Sequence, residues 1–385
     1  MPRGFGAIPQ VELVAWSNIG HLQQLYAGLA TLHKNGVIQL RQRLEKAPTS
    51  DPDAPPHLRG SVFAHCSVIV NGVCHVYFDM HDSWEINESA LHRHHLYFKR
   101  SFYPQRFRSR PDLLAKLRPY GMNYEVLADG LDRFALRRSA LSSGWREFVR
   151  SAVRACGWAS LLRFDPAVSK LEADVPESSV NGILFMARAW DPSADADLDP
   201  ELEPGDIDSE RALDRDAIND MRAECIRALR RAFGTHFVGG LAPTRYATQK
   251  YPDVVLPAGM NRKSHYLGLL RRSAIGIATA GLQGSLGWKI GEYVAFSRAI
   301  VSERIDVALP GVFEAGRNYL PFSTPQECVE RVHKLFVDVQ ARNAMMLANR
   351  TYYLDYLHPQ RVAARAVQAA LDFMGEAPSE TALFS

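Results

Sequence analysis

The chain has 385 residues, of which 46% are apolar and 23% charged, and its formal net charge is +3. This length exceeds what one hydrophobic core usually serves, so two domains are expected, and so small a net charge does not indicate a general nucleic-acid binder. The five cysteines never occur as C-x-x-C, which argues against a disulfide framework and favours the cytoplasm. No apolar run is long enough for a transmembrane helix, and the start has no signal-peptide core.

The N-terminal half begins with a strand–helix–strand pattern. An apolar strand, VELVAW, precedes a helix whose leucines recur at helical spacing, and VIQLRQRL then resumes as a strand. A crossover of this size favours parallel pairing. Two later strands meet at Asn71-Gly72, which predicts a β-hairpin. A histidine-rich helix is predicted around HRHHLYFKR, with less regular arginine-rich helices up to about residue 170.

The C-terminal half alternates strands and helices more regularly. Strands are predicted at NGILFMARAW, THFVGGL, SAIGIATA, AIVSE and NYLPF, and helices at 212–233, SHYLGLLRR and 325–340. An acidic loop spans 191–210, Thr324 has capping-box spacing, and Pro359 is expected to interrupt the last helices. The pattern predicts an α/β protein of two Rossmann-like domains, over 1–175 and 176–345, followed by C-terminal helices over 346–385.

A glycine-rich loop leads from the SAIGIATA strand into a helix, in the stretch GLQGSLGWKIGEYVAF over 281–296. Ligands of parallel sheets gather at this end of the strands, and a helix N-terminus favours anions. Glycines let backbone N–H groups approach an anion, and Glu292 could accept hydrogen bonds from ribose hydroxyls. The predicted binding residues are Gly281, Gly284, Gly287, Ser285, Lys289 and Glu292. The alternative is a closely packed turn with a solvated Lys–Glu pair, and the loop has no dinucleotide or P-loop motif.

The run W-K-x-x-E-Y-x-A followed by AIVSE resembles the nucleotide-sugar-binding segment of GT-B glycosyltransferases, best over residues 180–335. The resemblance implies two domains facing a cleft, with C-terminal helices that cross back to the first domain. It also implies that Glu292 binds the donor ribose and Arg188 the diphosphate, with Lys263 as a second candidate cation. Many retaining members carry another glutamate where this chain has Gly284, so that subgroup is not favoured.

The stretch VYFDMHDSWE is the best place for the base that inverting glycosyl transfer needs. In the GT-B glycosyltransferases that this chain resembles, the base comes from the N-terminal domain. Asp82 is the candidate base, with His81 or Asp79 orienting it or the acceptor; His21 is another candidate. Alternatively, Asp82 and Ser83 simply start a helix. The histidines at 92, 94 and 95 do not share one helical face, so no metal site is predicted there.

These features predict a metal-independent glycosyltransferase that needs no cofactor, because the nucleotide sugar is its substrate. The acceptor would be a small molecule, a glycan or a protein, and nucleic acid is not expected as a partner. The apolar C-terminal helices are compatible with a homodimer. Two other functions stay open: a sugar-nucleotide epimerase of similar fold, and a non-catalytic protein that binds a sugar nucleotide or a partner.

Overall fold

The computed structural model describes residues 7–45, 64–139, 145–158, 162, 164–177, 180–192 and 209–375. Contacts divide the chain into two compact units: unit 1 comprises Met1–Lys170, Ala308–Pro310 and Asp355–Ser385, and unit 2 comprises Leu171–Val307 and Gly311–Leu354. Most of the predicted acidic loop, residues 193–208, lies outside the described residues. No helix in the described part of the chain is long and apolar enough to span a membrane.

Unit 1 is an α/β unit that contains the N-terminal elements and the last helix. Its strands are β1 (Gln10–Ala15), β2 (Gln39–Leu44), β3 (His65–Val70), β4 (Cys74–Asp79), β5 (Leu96–Lys99) and β6 (Leu117–Pro119). Its helices are α1 (Gln23–Lys34), α2 (Glu88–Arg93), α3 (Pro111–Leu114), α4 (Arg133–Arg138), α5 (Trp145–Ala155) and, at the end of the chain, α12 (Pro359–Phe373).

The sheet of unit 1 has the order β2-β1-β3-β4-β5-β6. β1 pairs with β2 in parallel, as the strand–helix–strand pattern predicts, but β3 runs antiparallel to both of its neighbours. The hairpin at Asn71-Gly72 explains the antiparallel pairing of β3 with β4, and both residues have the positive φ that a type I′ turn needs (52° and 71°). Consequently β1, β4 and β5 end at the same edge of the sheet, and β3 begins there.

One face of this sheet is covered by α1 and α12, which share a core with the inward-facing residues of β1, β3 and β4. The two helices approach so closely at Gly28 that a Cβ atom there would lie 2.0 Å from the carbonyl oxygen of Pro359. Pro359 is the first residue of α12, so the predicted interruption becomes a helix start, where proline is tolerated.

Unit 2 alternates strands and helices. Its strands are β7 (Gly182–Ala187), β8 (Phe237–Leu241), β9 (Ser273–Ala278), β10 (Ala299–Glu303) and β11 (Leu320–Phe322). Its helices are α6 (Ser209–Phe233), α7 (Arg245–Lys250), α8 (Lys263–Arg271), α9 (Trp288–Ala295), α10 (Pro325–Val337) and α11 (Val339–Tyr352). The Thr324 hydroxyl accepts from the Glu327 N–H at 3.2 Å, which confirms the predicted cap of α10.

All the strand pairs of this second sheet are parallel, in the order β11-β10-β9-β7-β8. Numbered within the unit, this is the doubly wound order 2-1-3-4-5, in which the chain changes direction across the sheet between its first and third strands. The switch point therefore lies between the carboxyl ends of β7 and β9. The prediction of two Rossmann-like α/β domains is confirmed, with the antiparallel β3 as the departure in unit 1.

Two local predictions were wrong, and one alternative that the sequence left open is excluded. The segment HRHHLYFKR is not one helix: α2 ends at Arg93, and LYFK forms β5, a strand buried on both faces in which aromatic residues are favoured. Asp82 and Ser83 do not start a helix, because Asn87 caps α2 by accepting from the Ala90 N–H. The predicted helix 325–340 is divided at Asp338, whose side chain caps α11.

Candidate functional site

A cavity of about 380 Å³ lies at the switch point of unit 2. We call it the switch-point cavity. Its floor is formed by the carboxyl ends of β7 and β9, and its rim by the N-terminus of α9. Its volume falls in the range of small-molecule sites, roughly 300–1,000 Å³. The lining includes Phe185, Met186, Arg188, Trp190, Arg222, Tyr266, Ile277, Thr279, Gly287, Trp288 and Lys289.

The lining combines an apolar floor with aromatic rings and cations. The guanidinium of Arg188, the first residue after β7, lies 4.9 Å from the ring centroid of Trp190. Lys289 Nζ lies 3.2 Å from the ring centroid of Tyr266. Such stacking holds a cation in place without neutralising it. The cavity therefore offers apolar surface for a ring system together with positive charge for an anion.

Glu292 is buried beside this cavity, in the second turn of α9. Its Oε1 accepts from Lys263 Nζ, and its Oε2 lies 3.3 Å from Lys289 Nζ. Lys263 is the first residue of α8, so the carboxylate joins the starts of two helices. The structure thus brings together three of the residues that the sequence predicted for donor binding.

Opposing effects set the charges of Glu292 and its two lysine partners, Lys263 and Lys289. Burial alone would raise the pKa of Glu292, but Lys289 and Lys263 outweigh it and lower the pKa to about 2. Burial is also the largest influence on Lys289 and lowers its pKa, with Lys263 acting in the same direction and Glu292 against them. The carboxylate is consequently ionised at neutral pH and shared between two ammonium groups.

The glycines of the loop have different structural roles. Gly284 has a φ of +72°, which L-residues avoid, and a Cβ on Gly281 would lie 2.6 Å from Ser285 Oγ. The turn is closed by the Gly281 N–H, which donates to the Ser285 carbonyl at 2.7 Å. Ser285 itself is buried. Gly287 caps α9 on the cavity rim, and a Cβ there would meet nothing within 4 Å.

Arg222, on α6, donates hydrogen bonds to both loops at the switch point. It donates to Thr279 Oγ1 at 2.8 Å, to the Arg188 carbonyl at 2.5 Å and to the Ala280 carbonyl at 2.9 Å. One buried guanidinium therefore joins the loops that follow β7 and β9. Burial lowers its pKa to about 10, against the opposing effect of Glu303, so it stays charged at neutral pH.

The sequence analysis missed Arg222, although a signal is present. It lies four residues from both Ile218 and Ile226, within the apolar stripe of α6. An arginine at such a position is seldom buried unless it is paired. Its partners follow two different strands, which spacing along the chain does not reveal.

In unit 1 the residues predicted to be catalytic lie at the edge where β4 and β5 end. Asp79 is buried, and Tyr97 and Lys99 donate to its Oδ2 at 2.6 Å and 2.9 Å. Its Oδ1 accepts from the ring and the backbone N–H of His81. Burial raises the pKa of Asp79, but Lys99 and His81 together lower it far below its usual range. Asp79 is a fixed anion that holds its neighbours in place.

His81 has a defined tautomer because of this contact. Its Nδ1 lies 2.9 Å from Asp79 Oδ1, and an ionised carboxylate can only accept, so Nδ1 carries the proton. Nε2 is then the basic nitrogen. The His81 side chain is 14% exposed, compared with 3% for Asp79. Of this pair, His81 is the one that a ligand can reach.

Asp82 and His21 lie close to the same residues. Asp82 forms an ion pair with the buried Arg100, which holds its carboxylate in place. Burial, the largest influence, acts together with Arg100 and His81 to lower the pKa of His21 to about 4, against the opposing effect of Asp82. His21, Asp79, His81 and Asp82, the four sequence candidates, therefore form one cluster with Lys99 and Arg100.

A second cavity, of about 310 Å³, opens on the sheet face of unit 1 opposite α1. Its lining includes Trp16, His65, Ser67, Tyr77 and His94. His65 lies 5.4 Å from the ring centroid of Tyr77 and 6.1 Å from that of His81, so this aromatic wall reaches the cluster. Ser67 Oγ contacts His94 Nε2 at 2.9 Å. Among the described residues, no group of three His, Cys, Asp or Glu side chains is placed to hold a metal ion.

No protein-family model matches the chain, and no curated protein matches it by sequence. Solved structures match it over most of its length. HepE from Anabaena, in complex with UDP, is 11% identical with a TM-score of 0.42, covering 94% of this chain and 98% of its own. A glycosyltransferase from Rickettsia africae is 10% identical with a TM-score of 0.40, covering 92% and 82%. A sucrose-phosphate synthase from Thermosynechococcus elongatus is 11% identical with a TM-score of 0.38, covering 93% of each chain.

Proposed function

We propose that the protein is a glycosyltransferase that takes a sugar from a nucleotide-sugar donor and transfers it to an acceptor hydroxyl without a metal ion. The observation that carries the proposal is the switch-point cavity, where cations and aromatic rings surround an apolar floor at the carboxyl ends of β7 and β9. Open α/β sheets bind nucleotides at this position.

The donor would use three features of the cavity. The base would lie on the apolar floor, near Trp190 or Trp288, and the ribose hydroxyls would donate to Glu292. A carboxylate oxygen has lone pairs for more than one donor, so the two lysines do not saturate Glu292. The diphosphate would lie against Arg188 and Lys289, at the N-terminus of α9, where the helix dipole favours negative charge.

The charge available in the cavity supports a reaction without a metal ion. As the bond between the anomeric carbon and the phosphate oxygen breaks, negative charge grows on the leaving diphosphate, and preorganised cations stabilise it. Lys263, Lys289 and Arg188 supply three positive charges, and Glu292 compensates one of them. The remaining positive charge suits a diphosphate without an added cation.

The acceptor would bind on unit 1, along the aromatic wall of the second cavity. The acceptor oxygen would attack the anomeric carbon while its proton passes to Nε2 of His81, whose Nδ1–H stays on Asp79. Geometry favours His81 over Asp82 as the base, because Arg100 holds the Asp82 carboxylate. Asp79 and Asp82 would orient the base and the acceptor.

Calorimetry with UDP, GDP, TDP, ADP and CMP sugars tests the donor site. At least one donor should bind, and Lys289→Gln and Glu292→Gln should each weaken it about tenfold or more, the loss expected for a charged hydrogen bond. Lys334→Gln, on α10 of the same unit, is the matched control. If no donor binds the wild type, or if both variants bind the donor as tightly as the wild type does, the proposed donor site is wrong.

Product analysis then separates transfer from the alternatives. A protein that epimerises the donor would change its sugar with no acceptor present, whereas a glycosyltransferase releases the nucleoside diphosphate in step with glycosylated acceptor. Binding without either product would indicate a non-catalytic sugar-nucleotide protein.

A further inference from the structure

Arg298 is a cation that is buried in unit 2 without a counterion among the described residues. It lies directly before β10 and is only 2% exposed. Its Nε and Nη1 atoms have no hydrogen-bond partner in the part of the chain that the structure describes. Arginine is almost never fully buried unless it is paired, because an uncompensated charge away from water is strongly unfavourable. The guanidinium of Arg298 therefore needs an acceptor that the described residues do not supply.

The backbone at Arg298 is held in place from both sides. Its N–H donates to the Tyr293 carbonyl, and its own carbonyl accepts from Asn349 Nδ2, both at 2.8 Å. The preceding residue, Ser297, has a φ of +57°, which L-residues rarely adopt, and its Oγ donates to the Ala173 carbonyl at 2.7 Å. The Arg298 side chain thus extends from a fixed point of the fold.

A second arginine contributes positive charge at the same place. Arg271 is the last residue of α8 and lies two residues before β9, the strand that pairs with β10. Its guanidinium lies 5.3 Å from the ring centroid of Phe296, two residues before Arg298. Burial lowers the pKa of Arg298 to about 10, and the charge of Arg271 acts in the same direction. Both arginines are charged at neutral pH, so positive charge is concentrated at the amino edge of this sheet.

The carboxylates on the neighbouring segment pair with another arginine. Glu172 and Asp174, which flank Ala173, form ion pairs with Arg350 at 3.4 Å and 2.8 Å. A water molecule could accept from Nε and Nη1 of Arg298, but a neutral acceptor would leave the positive charge uncompensated. An anion satisfies the hydrogen bonds and the charge together.

We therefore propose that Arg298 and Arg271 form an oxyanion site at the amino edge of the unit 2 sheet. The ligand is a phosphate group, whose oxygens can accept from two guanidinium groups at once. Because Arg298 is so little exposed, a small anion fits the site better than a side chain of a partner protein. The switch-point cavity lies at the opposite, carboxyl ends of the strands, so the two sites are distinct. This inference is independent of the reaction and of the donor site.

Isothermal titration calorimetry of the full-length protein with sodium phosphate, at constant ionic strength, tests the site. Phosphate can also enter the switch-point cavity, so variants of both sites are compared. Arg298→Met should lower the phosphate affinity about tenfold or more, whereas Lys289→Gln should leave this binding event in place. Arg304→Met, which changes an exposed arginine of the same unit, is the matched control. Glycerol 3-phosphate, titrated in the same way, distinguishes an esterified phosphate from the free anion as the ligand.

The melting temperature is an independent measurement. Without phosphate, Arg298→Met should melt at or above the temperature of wild type, because an apolar side chain replaces an uncompensated charge. Phosphate should raise the melting temperature of wild type more than that of this variant, since its general salt effect is the same for both.

Three results would overturn the inference. Wild type could fail to bind phosphate, or Arg298→Met could bind it as tightly as wild type does. Alternatively, Arg298→Met could melt well below wild type in buffer without phosphate, which would show that the guanidinium is already compensated within the protein.

Discussion

Nδ1 of His81 donates to Oδ1 of Asp79 at 2.9 Å, and this contact fixes which nitrogen of the imidazole is basic. Asp79 is held in turn by Tyr97 and Lys99, so the carboxylate cannot turn away. A histidine oriented by a buried carboxylate can accept a proton at Nε2 without first changing tautomer.

His81→Gln should lower kcat about 10²–10⁴-fold, the usual contribution of a general base, while donor affinity stays unchanged. His92→Gln, an exposed histidine on α2, is the control and should keep full activity. Asp82→Asn should have the smaller effect. If Asp82→Asn removes activity and His81→Gln does not, Asp82 is the base, as the sequence alone predicted.

Arg222→Gln should weaken nucleotide-sugar binding at least tenfold, because the loops after β7 and β9 lose their shared donor. Three hydrogen bonds from one buried cation are removed, so a loss of about 2–4 kcal/mol in the free energy of unfolding is also expected. Arg227→Gln serves as the control on the same helix, since Arg227 forms an exposed ion pair with Asp253. Equal donor affinities for the two variants would contradict this role of Arg222.

The low pKa of His21 should make stability depend on pH. The pKa is about 4 in the folded protein and about 6.5 when unfolded, so the unfolded chain binds more protons between these values. Its contribution is complete above pH 6.5 and is lost as the pH falls towards 4. Between pH 7 and pH 5, wild type should lose about 2 kcal/mol more unfolding free energy than His21→Asn, measured by urea denaturation. Parallel pH dependence of the two proteins would place His21 in contact with solvent.

Glu292 should also make stability depend on pH. Here the folded state favours the ionised carboxylate, whereas for His21 it favours the neutral imidazole. Its folded pKa of about 2 lies below the ordinary value, so its contribution is present above about pH 4.5 and is lost as the pH falls towards 2. Glu292→Gln should destabilise unit 2 by at most about 3 kcal/mol at pH 7, and the difference from wild type should shrink by about 1 kcal/mol at pH 4. Glu330→Gln, exposed on α10, is the control. A difference that does not change with pH would exclude the ion pairs as its cause.

Gly28→Ala should destabilise the protein by about 1–3 kcal/mol, because the added Cβ would overlap the Pro359 carbonyl and force α12 away from α1. Gly268→Ala is the matched helical control. The nearest atom to a Cβ there is a side-chain nitrogen of Arg272, at 3.7 Å, and alanine favours the helix, so this variant should be neutral or stabilising. Thermal unfolding measures both, and equal melting temperatures would show that the two helices can separate at little cost.

Local patterns were sufficient for most of the fold. The strands of unit 2 are short apolar runs between turn residues, and Asn71-Gly72 and Thr324 act through neighbours in sequence. Arg188 and Glu292 were predicted because they match a known segment, and Lys289 because it follows a glycine-rich loop at the start of a helix. Lys263 was only a second candidate cation. The segment HRHHLYFKR was misjudged because histidines near a helix end carry little periodic signal, and pairing with β4 determines that LYFK is a strand.

The sequence could not predict contacts between residues that are far apart along the chain. The interaction of Asp79 with Lys99, and that of Arg222 with two separate loops, depend on strands that become neighbours only in the sheet.

The packing of α12 against α1 also affects how the protein is made. A ribosome delivers α1 early and α12 only after all of unit 2, so the apolar side of α1 has no native cover during most of synthesis. Unit 2, whose residues are continuous apart from Ala308–Pro310, can complete its core first. A premature stop before Asp355 would therefore damage the amino-terminal unit, far upstream of the lesion, and nascent chains would depend on chaperones until their last helix emerges.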